Sequence, residues 1–182
     1  MPRMKPGDLR TFLEQPHVAV IATLRSDGAP YTVPIWFLWE EEPGTPPLEF
    51  GPVTYPGGSV WLVGTYPRVW CQQLLRDPRA SLCIESGPPF TAHVEFDGIC
   101  QPYELPGFDI WPIARRLAEK YVGRGDPNNA AAVESFFANM QTEPRLLFRM
   151  TPSAIRAIDM RVYRGKRADR AYQQRAQPGP IG

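Results

Sequence analysis

Two apolar runs folded about a turn signal set the terms for this chain. Residues 17–38 read HVAVIATLRSDGAPYTVPIWFL, and Ser26-Asp27-Gly28 between the runs predicts a β-hairpin. In the first arm, Val18 to Leu24, one face carries Val18, Val20, Ala22 and Leu24, and the other carries Ala19 and Ile21. An arm without a polar face predicts a strand buried on both sides. The second arm, Pro30 to Leu38, alternates Tyr31, Val33, Ile35 and Phe37 against Thr32, Pro34, Trp36 and Leu38. Proline has no N–H to give to a ladder, so Pro30 and Pro34 place part of this arm at a sheet edge or a bulge. An apolar edge rimmed by Trp and Thr suits a flat ligand better than solvent.

Proline is also the anomaly of the composition, at 22 of 182 residues. That density argues against a long helical bundle and for a loop-rich β framework. The net charge of +1 gives no bulk attraction to nucleic acid or to an acidic membrane, and neither is expected as a partner. No apolar run approaches the roughly 20 residues that span a bilayer. Cys71, Cys83 and Cys100 are odd in number and form no CxxC pair, and the N-terminus carries no signal pattern. Reduced thiols in a cytoplasm are the expectation. His17 and His93 stand in no metal-ligand spacing, so no metal is expected.

Local patterns order the rest of the chain. Residues 6–14 predict a short helix, with Pro6 in its first turn and Leu9, Phe12 and Leu13 on one face. The stretch 39–59 is polar and turn-rich and reads as a surface insertion rather than a functional lid, with a short strand at Leu48 to Phe50. A strand at Ser59 to Thr65 precedes a helix opened by Tyr66-Pro67 and stopped at Asp77-Pro78. Strands follow at Arg79 to Glu85 and at Thr91 to Tyr103, the second interrupted at Asp97-Gly98. A helical pair is expected over 109–140, with Asp126 as the second N-cap, and two last strands at Arg145 to Met150 and Ala154 to Met160. The order predicts one mainly β domain over residues 1–165, with a 40–58 insertion and flanking helices, then a polar tail over 166–182. Short strands punctuated by turns favour a closed antiparallel barrel over an α/β sheet.

The turn Gly64-Thr65-Tyr66-Pro67-Arg68 is the second informative site. A helix beginning at Pro67 leaves the N–H groups of Arg68 and Val69 free at its positive end. With the Thr65 hydroxyl and the Arg68 guanidinium, these form a candidate phosphate seat. Among the five tryptophans, Trp36 and Trp70 are best placed to line a ring pocket. His17 reads as a packing or capping residue, His93 as structural, Cys71 as a small buried hydrophobe and Glu40-Glu41-Glu42 as a solvated face.

Four segments carry a resemblance: FLEQPHVAVIATLRSDGAPYTVPIWF, VWLVGTYPRVWCQQLLRDPRASLCIE, HVEFDGIC and RLLFRMTPSAIRAI. Together they resemble the FMN-binding split-barrel proteins related to pyridoxamine 5′-phosphate oxidase, over about residues 8–160. The resemblance implies an antiparallel, Greek-key-like split barrel, a homodimer with FMN in the groove between barrels, and oxidoreductase activity on a small molecule. It implies that Thr32, Val33, Pro34, Ile35 and Trp36 border the flavin ring, with backbone groups of Thr32, Val33 and Ile35 toward its polar edge, and that Thr65 and Arg68 hold the phosphate. Where many members have a lysine, this chain has Trp70, able to stack on a ring or to pack at the dimer contact. That departure keeps open a deazaflavin coenzyme, or a non-catalytic barrel that binds flavin or haem. The segment Arg161-Val162-Tyr163-Arg164-Gly165 does not match the substrate-clamping motif of the vitamin B6 enzymes, so that substrate is not expected. The sequence singles out no catalytic residue.

Overall fold

The computed structural model describes residues 2–87 and 91–163. The expected 166–182 tail therefore lies outside the described residues. In chain order the elements are α1 (Pro6–Glu14), β1 (Ala19–Leu24), β2 (Pro30–Ile35), β3 (Leu38–Glu41), β4 (Leu48–Phe50), β5 (Val53–Tyr55) and β6 (Gly58–Thr65). Then come α2 (Val69–Arg76), β7 (Arg79–Ser86), β8 (Ala92–Tyr103), α3 (Trp111–Ala118), a π-helical turn (Glu119–Gly123), α4 (Ala130–Met140) and β9 (Arg145–Asp159).

The β1–β2 hairpin forms where the sequence places it. Gly28 adopts a positive φ of 84°, and Asp27 Oδ1 accepts a hydrogen bond from Ala29 N at 2.9 Å. The turn is closed by the residue type that tolerates left-handed backbone and by an Asx side chain. The second arm does not run on to Leu38. β2 ends at Ile35, and β3, starting at Leu38, pairs with β6 instead.

That break fixes the architecture. The main sheet has seven antiparallel strands in the order β2-β1-β7-β8-β9-β6-β3. Its two edges are therefore β2 and β3, which are consecutive in the chain. The Cα atoms of Ile35 and Leu38 can lie at most about 11 Å apart, because trans peptides step 3.8 Å. A flat sheet would separate its edges by far more. The sheet therefore curls until its edges approach at Trp36-Phe37, and the two strands do not pair across that seam.

Inside lie Ile21, Leu62, Leu82, Phe96 and Phe148, and Leu9 and Leu13 of α1 are buried in the same core. β7 shows the alternation that builds such a core: Ala80, Leu82 and Ile84 are buried, while Arg79, Ser81 and Cys83 are exposed. β1 departs from its expectation. Ala19 and Ile21 are buried, but Val18 is 50% exposed and Val20 43% exposed. Among the described residues, nothing fully covers Val18 and Val20 on the outer side of this apolar arm.

Three further expectations are corrected. The closing strands are one, β9, of 15 residues. Pro152 lies within it opposite Gly98, at a register shift between Asp97 and Gly98, and a bulge tolerates a residue without an N–H. The 40–58 stretch is not a loose surface insertion. The β4–β5 hairpin turns Leu48 and Tyr55 inward, and the fully buried Tyr55 hydroxyl donates to Met4 O at 2.6 Å. The glutamate run is ion-paired rather than merely solvated: Glu40 with Arg116 at 3.0 Å, Glu41 with Arg10 at 2.6 Å, and Glu42 with Arg149.

Tyr55→Phe leaves Met4 O without its buried donor. Chemical denaturation should show a loss of about 1–2 kcal/mol, and hydrogen exchange should show faster opening of residues 3–5. Unchanged stability and exchange would mean that water replaces the hydroxyl.

Candidate functional site

A cavity of about 440 Å³ opens at the seam. Pro34, Ile35 and Trp36 at the end of β2 form one wall, and Val18 forms its rim. Val63 of β6 and Leu117 of α3 add apolar surface, and Phe136 and Met140 bring in α4. Arg68 and Trp70 enter from the start of α2, and Arg145 from the start of β9.

Packing fixes each aromatic wall. Trp36 stacks on Tyr121 with ring centroids 4.6 Å apart and planes within 3°, and Phe136 lies 5.4 Å away on a tilt. Such pairs add about 0.5–1.5 kcal/mol beyond their burial. Trp70 is 4% exposed and leans on Phe148 at 5.5 Å. Gly64 makes room for it: a Cβ there would stand 2.6 Å from the Trp70 ring and 2.3 Å from Cys71 Sγ. α2 itself is tied to β1 by the buried bond from Thr23 Oγ1 to Gln73 Oε1, 2.5 Å long.

The helix start differs from its expectation. Arg68 is extended at ψ 132° and caps α2 instead of sitting inside it. Its N–H donates to Thr65 O at 3.0 Å, closing a turn through Tyr66-Pro67, and its carbonyl accepts from Gln72 N at 3.1 Å. The N–H groups without an intrahelical partner therefore begin at Val69, not at Arg68.

Two cations share the cavity. Arg145 is anchored through Nε, which donates to Met140 O at 2.8 Å, and its nearest carboxylate, Glu143, stands 3.6 Å away. Burial weakens the hold of Arg145 on its proton; Glu143 opposes this and neighbouring Arg68 adds to it. No carboxylate is among the lining residues. Two guanidiniums near each other, Arg145 largely buried, can be bridged by an anion.

Of the residues named from sequence, the cavity gathers Pro34, Ile35, Trp36, Arg68 and Trp70. Thr32, Val33 and Thr65 are not in its lining. Thr32 is exposed opposite Ala22, Val33 faces Ile21, and the Thr65 carbonyl is taken by Arg68 N. Arg145 escaped the sequence reading. It reaches the site through the β6–β9 register, which sets Thr65 opposite Arg145 across 80 residues of chain, and no local motif encodes that pairing. Cys71 is pushed up to about 12, chiefly by burial, so it is an inert hydrophobe beside the site. His17 packs against Phe12 at 4.7 Å, and His93 Nε2 lies 3.5 Å from Glu95; neither lines the cavity. Among the described residues no cluster of three or more His, Cys, Asp or Glu could hold a metal ion.

An alanine at position 64 tests whether the close approach of Trp70 shapes this wall. Gly64→Ala should cost about 1–3 kcal/mol through overpacking and should alter the near-ultraviolet circular dichroism as Trp70 shifts. A variant with wild-type stability and spectrum would show that the helix simply slides.

No curated protein matches the chain. Solved structures do. A conserved hypothetical protein of Mycobacterium tuberculosis, Rv2991, is 21% identical with a TM-score of 0.57, over 87% of this chain and 86% of its own. An F420 reductase is 17% identical at TM-score 0.55, over 85% and 98%. HutZ, the haem storage protein of Vibrio cholerae, is 13% identical at TM-score 0.57, over 86% and 96%. At these identities the likeness is one of fold, and the curled sheet is the split barrel expected from sequence. The family model for pyridoxamine 5′-phosphate oxidase matches residues 6–159, and the chain belongs to that family.

Proposed function

We propose that this protein is a flavin-binding oxidoreductase that holds FMN at the seam cavity and acts as a homodimer. The observation that carries the reading is one cavity with aromatic walls, Trp36, Trp70 and Phe136, and with Arg68 and Arg145 as the only charged residues among the described ones that line it. A planar ring bearing a phosphate satisfies both halves: the ring is buried among apolar groups and the dianion neutralises two guanidiniums.

The exposed outer side of β1 supports the dimer. Val18 at the cavity rim continues into Val20, and exposed Cys83 stands opposite Val20 in the β1–β7 register. An apolar strip running from a half-open cavity suits a second copy of the chain. The free thiols suit a reducing compartment such as the cytoplasm.

When bound, the flavin supplies the hydride chemistry. The chain supplies the rest. Arg68 and Arg145 anchor the anionic end, Trp36 and Trp70 orient the ring face, and Leu117, Phe136 and Met140 exclude water behind it. Among the described lining residues no side chain is a candidate acid or base.

Trp70 favours one second reading, a deazaflavin coenzyme, because an indole stands where a phosphate lysine is usual in the family. A haem carrier has less support, since no His or Cys is among the described residues that line the cavity.

The spectrum and mass of whatever co-purifies, followed by titration with FMN, riboflavin and a deazaflavin coenzyme, test the assignment. Arg68→Ala and Arg145→Ala should each weaken FMN by about 1.5–3 kcal/mol while sparing riboflavin. Equal losses for both ligands would make the arginines structural. A protein that binds no flavin would overturn the reading, and preference for the deazaflavin would select the second one.

A further inference from the structure

Phe37 is fully buried and belongs to neither β2 nor β3. Its peptide groups therefore need partners from outside the sheet. Both come from one place. Tyr121 Oη accepts from Phe37 N at 3.1 Å and lies 2.7 Å from His17 O and 3.3 Å from Phe37 O, to one of which it donates. Lys120 Nζ donates to Phe37 O at 3.1 Å and to Leu13 O at 2.8 Å, and sits 3.8 Å above the Phe37 ring. The same Tyr121 presents its ring to Trp36.

Neighbours in an α-helix diverge by about 100°, so consecutive residues do not normally converge on one peptide unit. Here the helix is widened, as the bond from Arg124 N to Glu119 O at 3.0 Å records. A π turn of this kind costs regularity and persists where geometry needs it.

We propose that the π-helical turn is a positioning device: through Lys120 and Tyr121 it fixes the Trp36–Phe37 step and so holds Trp36 as the wall against which a ring binds. The importance of that wall rests on the ring-site reading given above; the clamp itself does not.

The clamp carries a titratable group at a useful place. Burial brings Lys120 down to about 7, with Glu14 of α1 opposing it. His17, which follows α1, is held below its ordinary range by burial and by Lys120 itself. Arg116, Glu119 and Arg124 share the cleft from the side of Lys120, and Tyr121 is pushed upward by burial. The ammonium grips both carbonyls and the Phe37 ring, whereas the neutral amine loses the ring attraction. The wall is held best below neutral pH and relaxes as pH rises through 7. Global stability runs the other way. The unfolded side chain keeps its proton up to its model value of 10.5, so unfolding free energy rises between pH 7 and 10.5 on this account.

Two measurements on the full chain test the proposal. In the first, ligand-free tryptophan emission is followed from pH 5.5 to 9. Wild type should show a step near pH 7 that is lost in Lys120→Met and in Trp36→Phe. A step that survives Lys120→Met, or no step in wild type, overturns the clamp. In the second, riboflavin is titrated at pH 6. Lys120→Met and Tyr121→Phe should each bind about tenfold more weakly, with the FMN-to-riboflavin ratio unchanged because both arginines remain. Wild-type affinity in both variants overturns the positioning role. Should Lys120→Met fail to fold, Tyr121→Phe, which keeps the ring, decides. If wild type binds neither flavin, the ring-site reading falls and the emission step alone judges the clamp.

Discussion

The structure depends on closing a sheet whose two edges are neighbours in the chain. Closure confines the crossing to Trp36 and Phe37, and this step lies inside the protein, where an unmet N–H or C=O costs about 1–3 kcal/mol. The helical excursion between β8 and β9 supplies what the sheet cannot. Tyr121 and Lys120 give Phe37 the hydrogen bonds that a paired strand would have given it. The same insertion brings Leu117, Phe136 and Met140 over the opening. One requirement, satisfying a buried peptide unit, thus accounts for the place of the helices and for the cavity beneath them.

Charge is distributed in two manners. Around the outside, arginines and carboxylates meet in pairs: Arg10 with Glu41, Arg116 with Glu40, Arg156 with Asp97, and Arg161 with Asp8 and Asp159. Exposed pairs of this kind contribute about 0–1 kcal/mol each, so they fix register and solubility more than stability. In the cavity the pattern differs. Arg68 and Arg145 are neighbours, and Glu143, 3.6 Å from Arg145, sits outside the lining.

Much of this was legible in the chain. Asp27-Gly28 and the two flanking apolar runs encoded the hairpin, and Pro30 and Pro34 correctly marked β2 as an edge. Trp36, Trp70 and Arg68, which share the cavity, lie at a proline-marked edge and a strand-to-helix turn, and both are local signals. What stayed hidden needed partners far away in sequence. Apolarity on both sides of β1 does not say what covers them; among the described residues Val18 and Val20 stay about half-exposed. Pro152 reads as a breaker until the bulge opposite Gly98 is known to absorb it. Arg145 is one basic residue at a strand start, and only the β6–β9 pairing gives it meaning. Lys120 and Tyr121 look like ordinary members of a helix, because a π turn leaves no mark in hydrophobic periodicity.

The long last strand has a consequence for how the molecule comes into being. β9 lies between β8 and β6 and, among the described strands, alone joins the hairpin half of the sheet to the β6–β3 half. A nascent chain that has emerged as far as α4 owns both halves but nothing to unite them. Until residues 145–159 leave the ribosome, β6 and β8 each expose an unpaired edge, and those edges invite association with other chains. The two halves of the barrel can therefore close on each other only after β9 has emerged.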